Sequence, residues 1–161
     1  MSRIASAVTA IRIRDAVAAV DDPEYPGISI VDLGLLESID IGPDGDITIG
    51  LIPTFSGCPA LAMIADEVHA AVSAVNELDA NRVEVRWLNT PAWTVDRISK
   101  TGRDTMAQEF TLAVRNKLEP VACPRCGDET TEDSLFGSSR CRAIHLCPSC
   151  AEVIEVMRSG A

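Results

Sequence analysis

Six cysteines and two histidines are the side chains in this 161-residue sequence best suited to hold a soft metal or attack an electrophile. Four of the cysteines form two CxxC pairs, Cys123 with Cys126 and Cys147 with Cys150, on either side of residues 127–146. Two such pairs offer four thiolates that close a tetrahedron around zinc, and this spacing is that of a zinc ribbon. Gly127 follows the second cysteine, a position that often needs a positive φ. A tail of about 40 residues buries too little apolar surface to fold alone, so the metal must supply most of its stability. The expected cofactor is structural Zn2+, because four protein ligands leave no open coordination position. An iron–sulfur cluster on the same four sulfurs is the alternative. Cys141 and His145 fall inside the tail as candidate extra ligands, with packing roles as the alternative.

Cys58 stands apart, in the stretch PTFSGCPALA between an apolar strand and an Ala-rich helix. Pro59 suits the first position of a helix, which puts Cys58 at or next to the N-cap. Unpaired amides and the positive end of the helix dipole should then draw the thiol below its ordinary pKa. Thr54, Ser56 and Gly57 offer further hydrogen bonds to a bound ligand. The competing reading is a buried cysteine that merely closes the turn. His69 lies about three helical turns along and His145 is in the tail, so the sequence offers no Cys–His catalytic pair.

The elements that must position these groups read as follows. Residues 4–20 carry Ile4, Val8, Ile11 and Ala18 at helical spacing, stopped by the prolines of DDPEYPG. ESIDI and DITIGLI alternate and flank Gly42-Pro43-Asp44-Gly45, a hairpin pattern. A helix then presents Leu61, Ile64, Val68, Val72 and Val75, and NRVEVRWL alternates as a strand. PAWTVDRISKTGRD is irregular and partly helical. Met106, Phe110, Val114 and Leu118 recur every four residues, which predicts a helix from Asp104 to the edge of Pro120. The fold class is therefore a two-layer α/β (α+β) domain over residues 1–119, ordered helix, hairpin, helix, strand, helix. A small zinc-ribbon tail follows over 120–161.

Acidic residues outnumber basic ones 24 to 14, for a net charge of −10, which argues against nucleic acid as a partner. No apolar run spans a membrane and no secretory signal opens the chain, so a cytoplasmic protein with reduced thiols is expected.

DPEYPGISIVDLGLLESIDI, PTFSGCPA and TPAWTVDRIS together resemble the SufT-like metal–sulfur cluster assembly domain. CPRCG, FGSSRCRAIHLCPSC and the tail as a whole resemble the zinc-binding extension of the PaaD family, associated with the multicomponent phenylacetyl-CoA ring epoxidase. The resemblance implies Cys58 as a cluster or partner-metal anchor, with Thr54 and Gly57 in its motif and Asp22, Glu24 and Asp32 as acidic loop residues beside it. It also places Cys141 at a position that is usually cysteine. The implied role is an accessory or maturation factor that assists iron or iron–sulfur cluster insertion, with a transient cluster as cargo. The implied partners are the oxygenase or reductase subunits, and a homodimer could share one cluster between two Cys58 thiolates. A non-catalytic structural subunit is the alternative. No paired Glu-x-x-His motif and no dinucleotide glycine fingerprint is present, so oxygen chemistry and hydride transfer by this chain alone are not expected.

Overall fold

A computed structural model describes residues 3–75, 82–115 and 119–158. Helix α1 (Arg3–Ala18) leads into a two-stranded ribbon, β1 (Asp21–Asp22) with β2 (Tyr25–Ser29). The hairpin follows as β3 (Leu36–Ile41) and β4 (Ile47–Leu51), then α2 (Leu61–Ser73) and β5 (Val83–Trp87). β4 is central in the three-stranded sheet, antiparallel to β3 and parallel to β5, and α2 makes the crossover. Being central, β4 is almost wholly buried: Ile47, Ile49 and Leu51 pack under α1 and α2, whose Ile13, Val17, Ile64, Val68 and Val72 complete the aliphatic core. The two-layer arrangement and the order of elements agree with the sequence.

Two expectations fail in detail. Among the described side chains of α1 the buried residues are Ile13 and Val17, while Val8 and Ile11 are 47% and 60% exposed, and the side chain of Ile4 lies outside the description. A helix of Ala, Ile and Val on several sides carries no decisive stripe, so tertiary packing chose the face. Leu118 and the preceding two residues lie outside the described residues, but the predicted long helix ends well before them. Helix α3 (Lys100–Glu109) stops at Phe110, Thr111 takes φ 50°, and residues 112–114 become strand β6. The four-residue recurrence was a coincidence of a helix and a strand with apolar inward faces.

A turn at residues 30–35 ties the layers to α3. Gly34 has φ +74°, and a Cβ there would lie 2.4 Å from the Cβ of Arg97, so only glycine fits. Arg97 donates from Nε to the Gly34 carbonyl at 2.8 Å, and the Trp93 indole donates to the Leu33 carbonyl at 2.9 Å. Ser99 caps α3, accepting from the Gly102 amide while its hydroxyl donates to Asp32 Oδ1.

The tail forms a four-stranded sheet ordered β6–β9–β8–β7, with β6 (Leu112–Val114), β7 (Thr131–Ser134), β8 (Arg142–Leu146) and β9 (Val153–Met157). β6 runs parallel to β9, so the strand on that edge comes from the segment just after α3. The tail's own buried apolar cluster is only Val121, Ile154 and Val156. Its Cys141 and Met157 instead join the main core.

Arg142 of β8 locks the two parts together. Its guanidinium donates to Glu155 Oε2 at 2.6 Å and Ser138 Oγ at 2.9 Å within the tail, and to Glu24 Oε2 at 2.9 Å across the junction. It also lies 4.6 Å from the centroid of Tyr25, whose ring meets Phe110 edge-on at 5.4 Å. Arg142→Met should lower unfolding stability by about 2–3 kcal/mol in urea titration, less than for a fully buried pair because both carboxylates reach solvent. An unchanged midpoint would remove Arg142 from this role.

Candidate functional site

The two cysteine knuckles meet as the spacing predicts. One metal-competent sulfur from each of Cys123, Cys126, Cys147 and Cys150 lies within 4.8 Å of the other three. The closest pairs bridge the knuckles, Cys126 to Cys147 at 3.4 Å and Cys123 to Cys150 at 3.7 Å. Zinc–sulfur bonds of about 2.3 Å in a tetrahedron require sulfurs about 3.8 Å apart, so the donor set fits a zinc ion.

The backbone repeats the same turn at both knuckles. The Gly127 amide donates to the Cys123 carbonyl and the Ala151 amide to the Cys147 carbonyl, both at 2.9 Å, with φ +80° and +59°. The Cys150 amide helps bring the Cys147 thiol down to about 7. The Asp128 amide favours the Cys126 thiolate, but the neighbouring sulfurs, Cys147 foremost, push that thiol up to about 12. Without a cation the four cannot all ionise together, which is the electrostatic demand a divalent metal satisfies.

His145 and Cys141 stand outside this group. His145 is buried with Nδ1 at 2.9 Å from Thr130 Oγ1, a packing role that holds β8 to the segment before β7. Cys141 points the other way, its sulfur 3.0 Å from Ser139 Oγ, into a second site.

That second site is a pocket of about 260 Å3 at the junction of the two parts. Asp22, Glu24 and Tyr25 of the β1–β2 ribbon form one wall, and Thr54, Phe55, Gly57 and Cys58 of the loop before α2 form another. The loop between β7 and β8 closes it with Ser138, Ser139, Arg140 and Cys141. Arg140 lies 5.5 Å from the Phe55 ring centroid, joining the two loops at the rim. Of the acidic residues named from the sequence, Asp22 and Glu24 reach this pocket. Asp32 does not: its carboxylate is engaged by Ser99 at the start of α3.

The state of Cys58 differs from the expectation. The N-cap of α2 is Ala60, so Cys58 sits two residues before it and is half-buried. Burial pushes its thiol up, outweighing the Ala60 amide that favours the thiolate, and the charges of Glu24, Asp22 and Cys141 push the same way. Burial also raises the Asp22 carboxyl against the hydrogen bond from the Glu24 amide, and holds the Tyr25 hydroxyl above its ordinary range. The site therefore disfavours a bare thiolate at Cys58. The local helix rule is outvoted by burial, with smaller contributions from charges that only the folded chain brings near.

Two family descriptions match separate stretches of the chain. Residues 11–85, which include Cys58, match the family described as iron-sulfur cluster assembly protein. Residues 107–158 match the PaaD zinc beta ribbon domain, beginning ahead of β6. A protein from Escherichia coli described as one of the subunits of a 1,2-phenylacetyl-CoA epoxidase is 31% identical over 150 residues, covering 88% of each chain. The chain belongs to the PaaD family. The assembly half of this PaaD chain is also 38% identical over 88 residues to the Fe-S protein maturation auxiliary factor YitW of Bacillus subtilis, covering 55% of this chain and 83% of that one. A crystal structure of a domain of unknown function from Bacillus anthracis superposes with a TM-score of 0.60 at 25% identity, covering 66% of the PaaD chain and 99% of the other. Among the described residues, no helix of the PaaD chain is long and apolar enough to cross a membrane.

Two measurements test these geometries. Nothing stands within 4 Å of a Cβ added at Gly127, so Gly127→Ala carries the left-handed backbone cost alone and should destabilise the zinc-loaded protein by about 1 kcal/mol. Ala151→Gly, at the equivalent turn, should be neutral or slightly stabilising; equal losses from both would refute the shared-turn argument. Alkylation of Cys58, followed by peptide mass spectrometry, should accelerate steadily between about pH 7 and pH 9 with no plateau, because the thiol is raised. A plateau near neutrality would restore the helix-activated thiolate.

Proposed function

We propose that this protein is an accessory maturation factor that receives and hands on iron or an iron–sulfur cluster through Cys58, with the zinc ribbon as a structural clasp. The observation that carries the reading is the Cys58 pocket, in which a half-buried thiol faces the buried carboxyl of Asp22 and the carboxylate of Glu24. Such a setting resists a bare thiolate but accepts a thiophilic cation, since metal binding deprotonates the thiol outright. A covalent nucleophile would need the opposite, a lowered pKa and an adjacent base. The names of the relatives support the same reading: a maturation auxiliary factor over the first half, an epoxidase subunit over nearly the whole chain.

The recipient in this reading is an iron-dependent oxygenase or reductase subunit of a phenylacetyl-CoA epoxidase, in the cytoplasm. Zn2+, when bound by Cys123, Cys126, Cys147 and Cys150, supplies folding free energy to the tail and no chemistry. Thr54 and Gly57 shape the loop that presents Cys58, and Glu24 fixes the β1–β2 wall through Arg142.

The test is genetic and analytical. In cells dependent on this chain for growth on phenylacetate, Cys58→Ser should accumulate as a folded, zinc-bearing protein yet leave the epoxidase short of iron and inactive. Wild-type epoxidase activity and iron content with that variant would overturn the reading and leave a structural subunit in its place.

A further inference from the structure

The Cys58 pocket has a second sulfur in its wall. Cys141 belongs to the ribbon half, yet its side chain leaves the four-sulfur group and joins the same cavity as Cys58, more than eighty positions away in sequence. It is 7% exposed, its sulfur is oriented by the Ser139 hydroxyl at 3.0 Å, and its backbone carbonyl is pinned by the Arg158 amide at 3.0 Å. The two thiols thus line one cavity from opposite sides of the junction.

A further observation points to an occupant. The Tyr25 hydroxyl is buried, with the residue 3% exposed, lines the same cavity, and has no hydrogen-bond partner among the described residues. Buried hydroxyls left unpaired cost free energy, so this one, in a residue of the cavity wall, adds an unmet polar group beside the two thiols. Asp22 is buried at 8% exposure in the same wall. Of the cations nearby, Arg142 is paired with Glu24 and Glu155, and Arg140 lies over the face of Phe55 at the rim. Two thiols from opposite walls of one cavity, with a buried carboxyl beside them, are the donor types a thiophilic metal takes.

We propose that Cys141 is the second thiolate ligand of the Cys58 cargo site, so that a single chain grips thiolate-bound iron between its two halves. This rests on the reading of Cys58 as a cargo anchor and adds the ligand that makes the grip bidentate. Binding is a substitution without redox change: each thiol gives its proton to water as its sulfur bonds to iron. The ribbon is then more than a clasp, since its β7–β8 loop carries half of the grip.

The test uses the full, zinc-loaded chain under anaerobic conditions, titrated with ferrous iron alone and with ferrous iron plus sulfide. Iron retained after desalting, thiolate-to-iron charge-transfer absorption and native mass spectrometry are the readouts. Cys58→Ser, Cys141→Ser and Cys141→Ala are compared with wild type, and zinc content reports whether each variant is folded. The expected result is iron on a wild-type monomer and its loss from all three variants at unchanged zinc. Retention without sulfide identifies the ion as the cargo, and retention only with sulfide identifies a cluster. If both Cys141 variants hold iron as wild type does while Cys58→Ser does not, the role of Cys141 is overturned and the Cys58 anchor stands. Iron bound across a dimer and indifferent to Cys141 has the same meaning. If Cys58→Ser itself retains iron as wild type does, or wild type retains none, the anchor reading falls and this inference falls with it.

Discussion

One buried guanidinium organises the molecule. Arg142 satisfies a carboxylate on each side of the junction and covers the face of Tyr25, so the ribbon half and the assembly half share a single ion-pair and aromatic cluster. A charge taken out of water must be paired on several sides to be tolerated, and here the partners come from the β1–β2 ribbon, β9 and the β7–β8 loop. The arrangement that shields Arg142 also fixes the β1–β2 ribbon against the β7–β8 loop. Those are two of the three walls of the Cys58 pocket.

Two kinds of thiol chemistry result, separated by environment. In the ribbon, four sulfurs crowd within a tetrahedron and can ionise together only around a divalent ion. In the pocket, burial, with smaller contributions from Glu24, Asp22 and Cys141, raises the Cys58 thiol. The first site suits a resident metal with every position filled. The second has fewer sulfurs and room beside them, which suits a passenger that must leave again.

Much of this was legible from residue types and spacing. The CxxC pairs, the glycine after the second cysteine, the hairpin with its Gly45 turn and the crossover helix with Ile64, Val68 and Val72 inward all rest on local patterns, and local patterns are what a sequence carries openly. The failures are non-local. The face of α1 depended on which side β3 and α2 covered. Strand β6 was disguised because Met106, Phe110 and Val114 keep a helical period while the chain turns over at Thr111. The ionisation of Cys58 was read from its neighbours in sequence, whereas Asp22, Glu24 and Cys141 act on it from other elements. Cys141 itself offered two signals, a cysteine that the ribbon's two pairs did not need and a family resemblance at that position, and neither said which site it joins.

Strand β6 belongs by sequence to the stretch that leaves α3 and by hydrogen bonding to the sheet of the metal-clasped tail. Among the described residues the two halves therefore meet along a woven edge. Genetic exchange that cut the chain at the apparent boundary near Pro120 would give the recipient a ribbon lacking one border strand and leave the donor with an unpaired one. Inheritance of the two halves as a unit is the outcome such weaving favours.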